Sequence, residues 1–429
     1  MPTKGRTAQG RPLLPGEGPT RDALLRAGLA AARSHRRQLV GTNFVGVTGS
    51  GGKTTTKDLI AAVLGTRLTG TKTPGSENRL TTVGRTILET KHRDGFCVAE
   101  IPAFEPGSVA EFSALLRPTV GVVTVVGLDH YKSFRNRETI AAEKRKLLDA
   151  LPDDGVAVLN ADDPDVLAMA EGFRGRVISF GLASGATLQA DELRSSWPET
   201  LAFTLHAGGK RVAVRTQLNG KHWVTSVLAA LAVAQALGIP LGAALEAIAA
   251  FEPLVGRMSV SRPDGVTFLR DDFKAPLWSI DTVLAFLAEA RADRKVIVLG
   301  TISDYPGSRT RTYRRIAKRA LMIADDVVFV GSNARHVRHL VSGLEGERLH
   351  MFRTVQEAAE HLARTLRGGE LVVLKGSNRA DHLARLALAR STQVRCWSSD
   401  CRRVRLCDDC RLLRVPDRAR LASSVGLRS

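Results

Sequence analysis

Gly46–Lys57 reads GVTGSGGKTTTK. It follows the apolar residues Phe44 and Val45 and runs into KTTTKDLIAAVLGT, which has helical spacing. A strand, a glycine turn and a helix opening on Gly-Lys-Thr gather backbone N–H groups and a helix N terminus around an anion. Gly49, Gly51 and Gly52 let the backbone approach a phosphate closely, and Ser50 and Thr55 belong to the same loop. Lys53 could reach the terminal phosphates, and Thr54 could offer its hydroxyl to Mg²⁺. The longer form of this motif has glycine where Val47 stands, so the loop is a shorter variant. The competing reading, a glycine turn that precedes an exposed lysine, does not explain the order strand–glycines–Gly-Lys-Thr–helix.

The loop opens an alternation of strands and helices. FCVAEI, VGVVTVV and GVAVLNA read as short apolar strands, with helical stretches such as ETIAAEKRKLLDAL between them. β-branched strands alternating with helices predict a mostly parallel sheet covered on both faces. A second alternation, KVIVLG, DDVVFVG and ELVVLKG, begins after GRMSV. The predicted class is therefore α/β: a P-loop parallel-sheet ATPase domain, then a smaller Rossmann-like α/β domain, then a short Cys-rich tail. The expected boundaries are a basic lead-in over 1–40 with a helix after residue 20, a central ATP-binding domain over 41–255, a C-terminal α/β domain over 256–390, and a basic tail over 391–429. Residues 1–20, rich in Gly, Pro and charge, are expected to be disordered.

Charge and cysteine placement narrow the function classes. Of the formal net charge of +19, residues 1–40 hold eight Lys/Arg against two acids and residues 391–429 hold nine against four. The ends therefore carry +11 of it, as solvated arms around a near-ordinary body, and nucleic acid is not the expected partner. No apolar core of a signal peptide stands at the N terminus. Val224–Phe251, cut by Gly238 and Pro240, reads as two buried helices rather than a membrane span. The expected compartment is the cytoplasm. Cys97, inside FCVAEI, reads as an inert core thiol. Cys396, Cys401, Cys407 and Cys410 are spaced C-x4-C-x5-C-x2-C and could hold a structural Zn²⁺ tetrahedrally; the alternative is free thiols on a flexible tail.

The stretch TGSGGKTTTK resembles the ATP loop of the Mur ligase family, ATP-dependent enzymes that join amino acids or peptides to a carboxylate. Other stretches are similar to that family's motifs in the same order: VAEIPAFEPGSVAEFSALLRPTVGVVTVVGLDH, IAAEKRKL, LNADDP, LNGKH, VGRMSV, LRDDFKAP and VVLKGS. They span roughly residues 41–390, and VVLKGS resembles the branch that adds D-alanyl-D-alanine in peptidoglycan synthesis. The resemblance implies a carboxylate that attacks the γ-phosphate of ATP, an acyl phosphate, and attack on it by an amine. Lys53 would neutralise phosphate oxygens. Thr54 and Glu100 would hold one Mg²⁺. His130 would stand at a second, against the alternative of a surface histidine beside Asp129. Lys144 matches a lysine that the family converts to an anionic carbamate ligand; on its own, EKRK reads as a solvated helix face. Arg257 and Asp271 would close over ATP. Asn78, Lys274 and Lys375 would face substrate, and for Lys375 an ordinary turn lysine is the rival.

The sequence also departs from the family pattern. Only about 40 residues precede the loop, fewer than the UDP-sugar domain of the peptidoglycan-building members needs. The expectation is a different carboxylate, or a protein partner that supplies substrate recognition. SENRL keeps only Asn78 of a usual asparagine pair. Trp223 and Ser226 replace asparagines after LNGKH, and Lys274 replaces His or Asn in DDFKAP. Two other readings stay open here: a glutamate ligase resembling folylpolyglutamate or cyanophycin synthetases, and a non-catalytic nucleotide-binding scaffold with a zinc tail.

Overall fold

The structure, a computed structural model, describes residues 19–128, 131–340, 347–399, 401, 403 and 405–415. Residues 1–18 of the expected disordered lead-in and the expected magnesium histidine, His130, lie outside the described residues. The chain divides into two compact units. One comprises Met1–Gly127, Asn136–Gln189 and Thr225–Ala247, the other Leu128–Arg135, Ala190–Val224 and Ile248–Ser429.

The first unit is built on a parallel sheet of β1 (Asn43–Thr48), β2 (Gly70–Lys72), β3 (Phe96–Glu100), β4 (Val120–Val123), β5 (Val156–Asn160), β6 (Arg176–Gly181) and the start of β7 (Leu188–Arg194), in the order β2-β3-β1-β4-β5-β6-β7. Helices along this part of the chain are α1 (Pro19–Gln38), α2 (Lys53–Leu64), α3 (Leu80–Glu89), α4 (Ser108–Leu116), α5 (Tyr131–Phe134), which falls in the second unit, α6 (Arg137–Asp149), α7 (Pro164–Leu167), α8 (Val224–Ala236) and α9 (Leu241–Ala250). β1, β3 and β4 are wholly or almost wholly buried, as strands between helical layers must be, and they read as unbroken apolar runs for that reason. Val47 pairs with Glu100 and Thr48 with Val123, so three adjacent strands end level with one another. The helix α6 starts where the Asn136 side chain accepts from the Thr139 N–H at 2.9 Å.

The expectation of two buried helices between Val224 and Phe251 holds for α8 and not for α9. Along α8 apolar residues occupy every side, and Val227 to Val233 are buried without a break. In α9 only Ala244 and Ile248 are buried. Its many alanines give apolar composition without an apolar face large enough to need cover.

In the second unit β8 (Ala202–Ala207) and β9 (Lys210–Arg215) form an antiparallel hairpin. Gly208 and Gly209, both at positive φ, supply the turn that the twist of the strands favours. A six-stranded sheet follows, ordered β10-β11-β15-β12-β13-β14, from β10 (Ser259–Ser261), β11 (Thr267–Asp271), β12 (Lys295–Leu299), β13 (Asp326–Val330), β14 (Leu349–Phe352) and β15 (Leu371–Lys375). Only the β10–β11 pair is antiparallel. The helices here are α10 (Leu277–Glu289), α11 (Arg309–Leu321), α12 (Val355–Thr365) and α13 (Ala384–Leu388). Its core gathers Phe268, Val298, Val328, Val372 and Leu374 from four neighbouring strands against Leu362 and Leu386. The chain returns from β14 to place β15 between β11 and β12. In register, Asp271 and Leu299 both stand opposite Lys375. Open α/β sheets bind ligands at such a reversal of strand order.

Candidate active site

Gly46–Lys57 is a turn from β1 into α2, as its sequence predicts. Gly52 caps the helix at φ 75° and offers no side chain to its first N–H groups. Those groups are left for a ligand, and the positive end of the helix dipole favours an anion there. Gly49 sits at φ 148°, and a Cβ on it would lie 1.9 Å from the Thr124 hydroxyl oxygen. Only glycine fits, because Thr124, just past β4, holds the loop by donating to the Gly51 carbonyl at 2.6 Å. Ser50 is held on the same side, its N–H on the Val125 carbonyl at 2.8 Å and its Oγ donating to Gly127 at 2.9 Å. The half-buried Lys53 folds back, with Nζ 2.7 Å from the Gly49 carbonyl oxygen.

Thr54 donates to Glu100 Oε2 at 2.9 Å, and Ser76 Oγ lies 3.1 Å from the same hydroxyl. Glu100 is 3 % exposed at the end of β3. A carboxylate and hydroxyls in one pocket are hard oxygen donors of the kind Mg²⁺ takes. A strained glycine cradle beside a bare helix N terminus fits a polyphosphate. The residues present therefore fit both ligands. Thr55 is buried in the first turn of α2. Thr56 donates to Ser226 at 3.0 Å, which gives the serine that replaces a usual asparagine a place beneath the loop.

Two residues that sequence reasoning left without a role complete the pocket. Lys57 is fully buried and donates to the carbonyls of Thr73 and Gly75, at 2.5 and 2.7 Å. It pins the strand-to-loop segment that carries Ser76. Burial lowers its pKa from the ordinary lysine range, opposed by Asp58 and Glu100. Ser76 had no motif to mark it, because its part depends on a loop fold that its neighbours set. Lys144 lies on α6 and is 1 % exposed, so EKRK is not a solvated face. Its neighbour Glu143, 3 % exposed, accepts from the N–H groups of Gly107 and Val109 at 2.9 and 2.8 Å. Asn78 is half-buried in the loop before α3.

The second unit has its own polar cluster. Lys375, at the end of β15 and 3 % exposed, donates to Asp271 at 2.6 Å and to the Lys274 carbonyl at 3.0 Å. It is therefore no ordinary turn lysine. Lys274 Nζ stands 3.7 Å from Asp304. Arg257 stacks its guanidinium over Phe273, 4.4 Å from the ring centre. His222 is held down to about 4 by burial, with Lys375 adding to the effect and Asp271 opposing it. Its ring lies against the buried Trp223, 4.6 Å between centres. Asp381 accepts from the Thr301 N–H and hydroxyl and from the Ser377 N–H, all at 2.7–2.8 Å, and so ties the ends of β12 and β15 together.

Cys97 is fully buried, and burial pushes its thiol pKa up, as a core thiol requires. The tail thiols of Cys396, Cys401, Cys407 and Cys410 are free; Cys396 and Cys407 are buried. Burial pushes the Cys407 thiol up, Arg385 opposes this, and the neighbouring thiols of Cys396 and Cys410 add to it. Among the described residues no three His, Cys, Asp or Glu side chains are already gathered to hold a metal ion. No helix among them is long and apolar enough to cross a membrane.

With this geometry in place, the chain can be set beside known proteins. Residues 47–234 match the family profile described as "Mur ligase middle domain", and 256–378 the one described as "Mur ligase, glutamate ligase domain". A UDP-N-acetylmuramoyl-tripeptide--D-alanyl-D-alanine ligase from Mycobacterium tuberculosis is 33% identical over 383 residues, covering 83% of this chain and 75% of that protein. The protein of the same name from Escherichia coli is 26% identical over 311 residues, covering 72% and 68%. Among solved structures, a MurF crystal structure from Acinetobacter baumannii superposes with a TM-score of 0.78 at 24% identity, over 86% of this chain and 81% of that one. MurF from Thermotoga maritima in complex with ADP gives 0.72 at 22%, over 90% and 86%. These structural likenesses speak for the fold.

Proposed function

The chain belongs to the Mur ligase family and is an ATP-dependent carbon–nitrogen ligase, and from this we propose that it joins a peptidoglycan-type carboxylate to the amine of a D-alanyl-D-alanine-like dipeptide. The observation that carries the reading is Thr54 bonded to Glu100 beside Lys53, at the open N terminus of α2, in a chain with relatives of that name. The glutamate-ligase alternative is not favoured by relatives so named.

A carboxylate oxygen attacks the γ-phosphorus, the bond to ADP breaks, and an acyl phosphate forms. The amine attacks its carbonyl, phosphate leaves, and the nitrogen loses a proton. Such chemistry is mostly positioning and charge neutralisation. We assign Lys53 to the β- and γ-phosphate oxygens, and Gly49, Ser50, Gly51, Gly52 and Thr55 to the cradle. Mg²⁺, when bound, neutralises phosphate charge; Thr54 and Glu100 would hold it. His130 and a carbamylated Lys144 would serve a second Mg²⁺; Lys144 is buried rather than solvated. Arg257 and Asp271 serve ATP; Asn78, Lys274 and Lys375 serve the other substrates. Zn²⁺ in the tail is structural and takes no step. The changes at Trp223, Ser226 and Lys274 support a carboxylate other than the one used by the named relatives.

The test is phosphate release from Mg-ATP over pairs of carboxylates and amines, with product mass spectrometry and Lys53→Ala as control. UDP-muramoyl tripeptide, shorter muramoyl peptides, D-alanyl-D-alanine, folates and amino acids belong in the panel. Release that needs both partners and yields a new amide supports the reading. Full activity on UDP-muramoyl tripeptide would remove the altered carboxylate. Nucleotide binding without release for any pair would leave the scaffold reading.

A further inference from the structure

We propose that the tail holds one Zn²⁺ through Cys396, Cys407, Cys410 and His382, a histidine that precedes α13 and lies outside the cysteine-rich segment. This refines the zinc part of the reading above, and its failure would leave the ligase assignment untouched.

The backbone already folds the three cysteines around one turn. Cys410 N–H donates to the Cys407 carbonyl at 3.1 Å, and Leu413 N–H to the Cys410 carbonyl at 2.9 Å. Cys396 N–H returns to the Leu413 carbonyl at 3.0 Å. Cys407 and Leu413 pack with Val394 and Ala384 in a small core of their own. The turn is also fixed from outside: Asp408, between Cys407 and Cys410, takes both NH groups of Arg270 at 2.6 and 2.9 Å. Arg270 precedes Asp271 on β11.

His382 reaches this turn from the other side. Its Nδ1 lies 3.6 Å from Cys407 Sγ. Bonds of about 2.3 Å from zinc to sulfur and about 2.0–2.1 Å to nitrogen, at a tetrahedral angle, put two such ligands about 3.6 Å apart. The separation suits two ligands on one ion, and in the metal-free chain it is a thiol–imidazole hydrogen bond. His382 is 1 % exposed, and its other ring nitrogen has no hydrogen-bond partner. Its backbone is held at φ 53°, a region a non-glycine residue occupies only when its surroundings impose it. A buried ring with one nitrogen on Cys407 and the other without a partner fits as a ligand. The thiols do not yet converge, and the ion itself would close the set, since metal binding and local folding are coupled. Three cysteines and one histidine make a closed structural zinc site.

The experiment uses the full chain, purified without chelator from zinc-supplemented culture. Elemental analysis should give about one zinc per chain, and loading with Co²⁺ should give a charge-transfer band of three thiolates, not four. Cys401→Ser should keep the metal, His382→Ala should lose it, and His382→Cys should regain it with a four-thiolate cobalt spectrum. Absence of metal in the unaltered protein overturns the site. So does a four-thiolate spectrum in the unaltered protein, or loss of metal in Cys401→Ser with retention in His382→Ala. The cobalt spectrum of the unaltered chain decides the ligand set even where a variant does not fold.

Discussion

At the scale of single residues, the proposed chemistry rests on charge placed at the start of α2 and the end of β3. Glu100 closes β3 and Lys53 opens α2, and the proposal gives the first to Mg²⁺ as an oxygen donor and the second to phosphate as a cation. Removing one preorganised electrostatic partner of a transferring group costs about 10²–10³ in rate. Glu100→Gln should therefore lose about that factor in amide formation and need more Mg²⁺ for half-maximal rate. Lys53→Ala should lose at least as much; steady-state phosphate release across Mg²⁺ concentrations reads both. His222 gives a pH dependence. Its pKa falls from 6.5 in the open chain to about 4 when folded, so between these values only the unfolded chain takes up the proton. The contribution is complete above about pH 6.5 and is lost as pH falls towards 4. Melting temperature should drop across that window, and His222→Gln should flatten the drop.

At the scale of elements, two joints decide whether the strand ends stay in place. The loop after β1 depends on Gly49. Gly49→Ala forces a Cβ onto the Thr124 hydroxyl and into a backbone region closed to it. Overpacking of this kind costs about 1–3 kcal/mol. The variant should unfold at lower denaturant and lose nucleotide binding beyond that, which titration with a non-hydrolysable analogue would separate from stability. The second joint is Asp381. A Cβ on Gly300 or on Gly376 would lie 2.2 or 2.9 Å from its carboxylate, so both loops close on it. Asp381→Ala strands the partly buried donors of Thr301 and Ser377, where a fully buried stranded donor costs about 1–3 kcal/mol. Urea unfolding should show a loss of that order, with Asp381→Asn milder.

At the scale of the whole molecule, ligand binding and stability are linked. A ligand at one hundred times its Kd adds about 2.7 kcal/mol to the state that binds it. A non-hydrolysable ATP analogue with Mg²⁺ should therefore raise the melting temperature, by less without Mg²⁺ and hardly at all in Lys53→Ala. An equal rise in all three would place the nucleotide away from α2.

What was legible in the sequence was local. The alternation of β-branched strands with helices foretold two mostly parallel sheets, because strands buried on both faces have no polar side to show; the antiparallel β8–β9 hairpin gave no such signal. Gly46–Lys57 declared its turn, because Gly49 and Gly52 stand at positive φ, where glycine is favoured, and Gly49 leaves no room for a Cβ. Tertiary structure decided the rest. That Lys144 is buried on α6, that Lys57 pins the Ser76 loop, and that α9 is only partly buried all depend on which face of a helix meets a neighbour. Composition does not carry that choice. Asp271 meets Lys375 from 104 positions away because β15 returns between β11 and β12. His382 meets Cys407 because the tail folds back on α13. Such meetings follow from strand order and chain reversal, which short-range spacing leaves free.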